Sequence, residues 1–238
     1  MSGFSSHILF GDQRIDFIIR RRDRKTLEIA VEPDMKVVVT ASVDATSDAI
    51  CEKVRKRAGW ILKQRRYFSQ FMPRTPERRF VSGETHLYLG RQYRLRVRAG
   101  SEHSVKIKRG FIEVFSARPK DSDLTRDLVT AWYHNRAQAK FGERIEVCLQ
   151  RFPNPDAYRP GGLVIRDLRS RWASMSPASR LMVNRRLVQA PVDAIDYVLT
   201  HELCHIQEPH HGAAFFDLLE RVMPDWQKRK LRLERAMS

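Results

Sequence analysis

At 238 residues the chain is long enough to bury a substantial core, as one large domain or two small ones. Its 44 Lys and Arg against 28 Asp and Glu leave a net charge of +16, which attracts polyanions and makes nucleic acid the first charged partner to consider. No run approaches the roughly 18 uncharged apolar residues of a membrane span, the N-terminus does not read as a signal peptide, and three scattered cysteines (Cys51, Cys148, Cys204) suit neither a disulfide framework nor a C-x-x-C zinc site, so the cytoplasm is expected.

The first 43 residues read as β structure. HILF (7–10), RIDFIIR (14–20), TLEIAVE (26–32) and KVVVTA (36–41) are short, rich in Ile, Val and Thr, and punctuated by turn residues. They predict an antiparallel meander. A helix over 46–70 follows, with Thr46, Ser47 and Asp48 as capping residues and Ile50, Val54, Ala58, Ile61 and Leu62 at helical spacing. Trp60 on it is expected to pack on the strands. A polar connector, MPRTPERR (72–79), leads to further strands around Gly90 and Gly110. In YRLRVR the alternation sets Tyr93, Leu95 and Val97 on one face and arginines on the other, a half-solvated strand.

From Asp121 the periodicity changes to a long amphipathic helix with Leu124, Leu128, Ala131, Trp132, Phe141, Ile145 and Leu149 as its apolar positions. LVIRDLRSRWASMSP reads as a strand running into a turn, and RLMVNRRLVQAP as a second extended segment. The expected class is therefore α+β: a β-rich N-terminal region over 1–120, then a mainly helical region over 121–238 with a short strand segment.

The chemistry sits at HELCH, 201–205, and the HHG that follows it. On a helix His201 and His205 lie one turn apart and share a face, while Glu202 is offset around the axis. Two imidazoles that bind zinc and a carboxylate that acts as general base are what H-E-x-x-H supplies. A catalytic zinc needs a third protein ligand, and His211 is the candidate, just past a helix breaker at Glu208-Pro209. Arg171, Asn184 and Tyr197 are possible donors to an oxyanion, and Glu208 and Asp217 possible carboxylates to orient the histidines. Cys204 reads as a small core residue and His134 as a surface one.

The segment from Arg169 to Lys230, with RSRWASMS, MVNRRLVQAP and THELCHIQEPHHG, resembles the YgjP-like metallopeptidase family, relatives of the SprT and WLM zinc proteases. Trp60-Ile61, Gly83-Glu84 and Tyr88-Leu89-Gly90 extend the likeness over the chain. The resemblance implies that the region 121–238 is zincin-like, with zinc held by His201, His205 and His211 and with Glu202 as catalytic base. The chain departs from the family's usual R-W-G-S-C at Ala173 and Met175. The ligand spacing also equals that of the metzincins, but Glu208 stands where they carry glycine.

Two functions follow. The first is a zinc metallopeptidase that hydrolyses protein or peptide substrates by Glu202-assisted attack of zinc-bound water. The second is a nucleic-acid-binding protein in which the zinc site is structural or vestigial. Glu202 favours the first, since a structural site has no use for that carboxylate. The basic residues fit a nucleic-acid tether and a merely solvated surface equally well.

Overall fold

The computed structural model describes residues 4–24, 26–32, 34–69, 78–168 and 171–237. The chain forms two compact units, Met1–Thr75 and Pro76–Met237. It is an α+β protein, with helices following mixed sheets.

The first unit carries β1 (Phe4–Phe10), β2 (Gln13–Arg22), β3 (Glu28–Val31) and β4 (Val37–Ser42) in the order β1-β2-β4-β3. The pairing of β2 with β4 is parallel, so the sheet is mixed and not the antiparallel meander expected from the turns. The reason lies in β4: Val37, Val38, Val39 and Ala41 are all buried, the continuous apolar run of a central strand, which places it between two partners. The expected helix 46–70 is two helices, α1 (Ser47–Lys56) and α2 (Ala58–Ser69), broken at Arg57, whose N–H reaches Lys53 and Val54 carbonyls. Thr46 caps α1 by accepting from the Ala49 N–H at 3.3 Å. Ile50, Val54, Ala58 and Ile61 pack on the sheet; Trp60 lies outside that core and is 40% exposed.

The second unit repeats that strand plan. Its β5 (Thr85–Tyr88), β6 (Arg91–Ala99), β7 (Ser104–Lys108) and β8 (Phe111–Ser116) run in the order β5-β6-β8-β7, again with the middle pair parallel. These strands fall within the expected β-rich region 1–120. Here they share one core with α3 (Ser122–Leu149): Leu95, Ile112 and Val114 join Val129 and Trp132, and the Tyr133 hydroxyl donates to the Leu87 carbonyl at 2.7 Å. The greater part of the expected connector, 72–77, lies outside the described residues.

The buried residues of α3 are Thr125, Val129, Trp132, Tyr133, Ala137, Phe141, Ile145, Cys148 and Leu149, with Leu128 packed against the same core; Ala131 is exposed, so the stripe departs from the expected one only over the first turns. A three-stranded sheet follows, β9 (Gly162–Arg166), β10 (Ala173–Met175) and β11 (Arg180–Asn184), with β11 central, β9 parallel to it and β10 antiparallel at the edge. Then come α4 (Val192–Cys204), α5 (Ala213–Val222) and α6 (Trp226–Met237). Ala194, Ile195, Leu199, Leu203 and Cys204 of α4 are fully buried among α3, α5, α6 and β10. No helix among the described residues is long and apolar enough to cross a membrane.

Candidate metal centre

The helix α4 stops at Cys204, a turn before Glu208-Pro209. His205 is its C-cap, still right-handed helical at φ −66 and ψ −12, so the one-turn spacing to His201 is kept. The chain then turns back and delivers His211. The ring centroids of His201 and His205 are 5.1 Å apart, those of His201 and His211 5.0 Å, and those of His205 and His211 4.6 Å. One nitrogen from each ring falls in a group spanning no more than 4.8 Å, a set that could hold a metal ion.

The protonation of these rings suits a cation. Burial, with the neighbouring His205, His211 and Lys230, pushes His201 down to about 3, and burial with His205 lowers His211. Both are neutral bases, yet their Nε2 atoms face each other at 2.9 Å. Two neutral imidazoles presenting nitrogen to the same point share either a proton or a metal. The His205 Nδ1–H donates to the Glu208 carbonyl at 2.9 Å, which leaves its Nε2 lone pair for a ligand. The Glu208 main chain, not its carboxylate, does this orienting. His201 Nδ1 is buried with no partner among the described residues.

Phe215, on α5 and fully buried, packs under all three imidazoles, with centroids 4.9, 4.6 and 4.7 Å from His201, His205 and His211. The sequence does not single out this role, since Phe215 is one of several apolar residues of α5. Its neighbour Phe216 is 41% exposed, a contrast between adjacent phenylalanines that only the fold reveals.

Glu202 is 7% exposed and lines the same cleft. Burial pushes its carboxyl up to about 7, opposed by a hydrogen bond from the Met175 N–H and by the charge of Arg171. The cleft has a volume of about 740 Å³ and is walled by Arg171, β10 with the turn after it, His205, Pro209 and His211. Asn184 is not an oxyanion donor in waiting: its amide donates to the Leu168 and Arg171 carbonyls at 2.8 and 3.1 Å and so positions the loop that carries Arg171. Arg169 and Ser170 of that loop lie outside the described residues. The Tyr197 ring lies 5.9 Å from His201, its hydroxyl pushed up to about 12 by burial. Asp217 is exposed and outside the cleft, as is His134. Cys204 is buried in the core, its thiol likewise raised to about 12.

Comparison with known families gives a match to the YgjP-like metallopeptidase domain over residues 25–236. The chain belongs to the YgjP-like metallopeptidase family. No curated protein matches it. Among solved structures, the metallopeptidase zymogen of Pyrococcus abyssi abylysin is similar over 39% of this chain and 90% of that one, at 19% identity and a TM-score of 0.33. In this YgjP-like chain Ala173 and Met175 both wall the cleft. The contact from Met175 to Glu202 is made by the main-chain N–H, which a cysteine at that position would supply equally.

Proposed function

We propose that the protein is a zinc-dependent peptidase in which His201, His205 and His211 hold the ion and Glu202 moves the protons of peptide-bond hydrolysis. The observation that carries this is the placing of a desolvated carboxyl, Glu202, beside three converging imidazoles in an open cleft. A set of three imidazole ligands suits zinc, which, held there, would lower the pKa of a water to roughly 7 and polarise a carbonyl oxygen.

The chain's own residues do the rest. Glu202 accepts the proton of the attacking water and delivers it to the leaving nitrogen, a transfer that its place in the cleft beside the three imidazoles allows. The Met175 N–H holds that carboxylate in place, and Arg171 supplies positive charge on the same side of the cleft. With β11 on one side and no strand on the other among the described residues, β10 offers a free edge to which an extended peptide can add as a strand along the cleft.

The test is metal content with matched activity. Wild type and Glu202→Gln are quantified for zinc and assayed on unfolded casein. One zinc per chain in both, with cleavage by wild type alone, is expected. An absence of zinc in both after reconstitution would overturn the reading, and equal cleavage by both would remove Glu202 from it.

A second reading, nucleic-acid binding alongside hydrolysis, is favoured by a groove of about 410 Å³ in the first unit, walled by Leu27, Ile29, Lys53, Lys56, Arg57 and the exposed Trp60. An indole open to stacking among three cations suits single-stranded nucleic acid. Binding of a labelled oligonucleotide at low salt, lost in Trp60→Ala and weakened in Lys53→Ala, is the expected result; no binding at low salt would discard it.

A further inference from the structure

A second cavity, of about 180 Å³, lies beside the metal cleft and shares Ala173, His201 and Glu202 with it. Because both cavities reach the pair that the proposed chemistry uses, whatever fills the smaller one sits next to the reacting bond. Its remaining lining is Trp172, Tyr197 and Val198 together with Leu233, Lys230 and Glu234 of α6. We propose that this cavity is a specificity pocket that receives one substrate side chain flanking the scissile bond and selects a large aliphatic or aromatic one. This rests on the peptidase reading and adds its selectivity.

The walls decide the class of side chain. Tyr197, Val198 and Leu233 are themselves buried in the fold, so the pocket is preformed and need not be assembled by the substrate. At about 30 Å³ per water the space holds roughly six molecules, against a largely apolar surface that gives them few partners, and an apolar side chain displaces them favourably. Charge does not compete with that preference. Lys230 and Glu234 lie one turn apart on α6 with opposite signs, and the Glu202 carboxyl is shared with the cleft, so the lining presents no cluster of one charge. Glu234 has no ion-pair or hydrogen-bond partner among the described residues, and burial raises its carboxyl to about 7, which reduces its claim on a cation, while Lys230 is exposed and keeps its ammonium in water. A charged side chain placed there would be desolvated with at most partial compensation.

The experiment uses the full-length, zinc-loaded protein and fluorescein-labelled peptides that differ only at the residues flanking one cleavable bond, set in turn to Leu, Phe, Gly, Lys or Asp. Hydrolysis is read as kcat/KM, and binding of the same peptides to Glu202→Gln is read by fluorescence anisotropy. At one flanking position Leu and Phe are expected to exceed Gly, Lys and Asp by roughly tenfold or more. Leu233→Trp, which fills the pocket, is expected to abolish or invert that ranking. Should Leu233→Trp fail to fold, Glu234→Leu extends the apolar wall and is expected to widen the gap between Leu and Lys. Absence of any preference, a preference for a charged residue, or a ranking that neither variant moves would overturn the pocket. If no peptide is cleaved, the peptidase reading fails, while the anisotropy ranking still decides the pocket by the same criteria.

Discussion

Arg144 on α3 grips Asp196 on α4 through Nε and Nη2, each 2.8 Å from a carboxylate oxygen. Arg151 and Arg229 approach the same carboxylate at 3.5 and 3.8 Å, and the Asp196 side chain is only 5% exposed. One buried anion thus ties α3 and α6 to the helix that presents His201 five residues on. Removing one member of a buried pair leaves the other charge desolvated and uncompensated, typically at about 3–5 kcal/mol. Asp196→Ala is therefore expected to lower the thermal midpoint by roughly 10 °C. Asp193→Ala, which breaks the exposed pair with Arg232, is expected to shift it by about a tenth of that or little more. Differential scanning calorimetry of the two variants separates the cases.

Phe215 and Phe216 offer a second internal contrast. Phe215 is fully buried and stacks on His205 at 4.6 Å with an interplanar angle of 30°, so Phe215→Ala leaves a cavity directly under the three imidazoles. A loss of about 3–5 kcal/mol is expected, and zinc affinity should fall by roughly tenfold because the rings lose the surface that fixes their tilt. Phe216, exposed and leaning on Trp226 at 5.9 Å, should cost about 1 kcal/mol or less when replaced by Ala, with zinc affinity unchanged. A chelator competition titration on both proteins reads the affinities. Equal affinities would mean that the loop 205–212 orders the site without Phe215.

These contrasts show where the sequence was legible and where it was not. The grouping of His201, His205 and His211 could be read because helical periodicity and one proline act over a few residues. The strand order of neither four-stranded sheet could, because a parallel pair such as β2 and β4 depends on which strand is buried on both faces, and turn residues between neighbours do not encode that. The break at Arg57 has no Pro or Gly at the break itself, so nothing local announced it. Thr125 and Val129 took the buried positions expected of Leu124 and Leu128, since the face of α3 is set by the sheet it covers and not by which stripe holds the larger side chains. Asn184, read as a donor to substrate, serves the backbone of the 168–171 loop instead, a role fixed by contacts sixteen and thirteen residues away.

Acid should weaken the second unit through His86. That ring is fully buried, and burial, with the charge of Arg78, pushes its pKa from 6.5 down to about 4 despite the Glu84 carboxylate 2.9 Å from Nε2. The folded value lies below the unfolded one, so between them the unfolded chain binds more protons. The stability that rests on a neutral His86 is complete above about pH 6.5 and is lost progressively as the pH falls towards 4, by roughly 3 kcal/mol at 1.36 kcal/mol per unit. Urea midpoints from pH 7 to pH 4 should slope accordingly, and His86→Gln should flatten that slope over this window. An unaltered slope would place the acid sensitivity elsewhere.

Gly90 carries the last prediction. It sits at φ +77 behind Leu89 at φ +51, the pair of positive angles of a tight hairpin turn between β5 and β6. The N–H groups of Leu89 and Gly90 donate to the Val188 and Gln189 carbonyls at 3.0 Å each, so the turn is bonded to the segment that leads into α4. A Cβ on Gly90 would lie 2.9 Å from both Cα and Cγ of Pro191, the N-cap of α4. Gly90→Ala thus meets two penalties: about 1–2 kcal/mol for a left-handed alanine, and about 1–3 kcal/mol for an overpacked contact whose relief moves backbone. Gly110, at φ +82 in the β7–β8 turn, has nothing within 4 Å of its ideal Cβ, so Gly110→Ala meets the first penalty alone. The difference between their urea midpoints isolates the Pro191 contact. Because Pro191 starts the helix that ends in His201 and His205, Gly90→Ala should also weaken zinc binding while Gly110→Ala leaves it intact. Equal midpoints and equal zinc affinities would show that the turn at Gly90 does not govern where α4 begins.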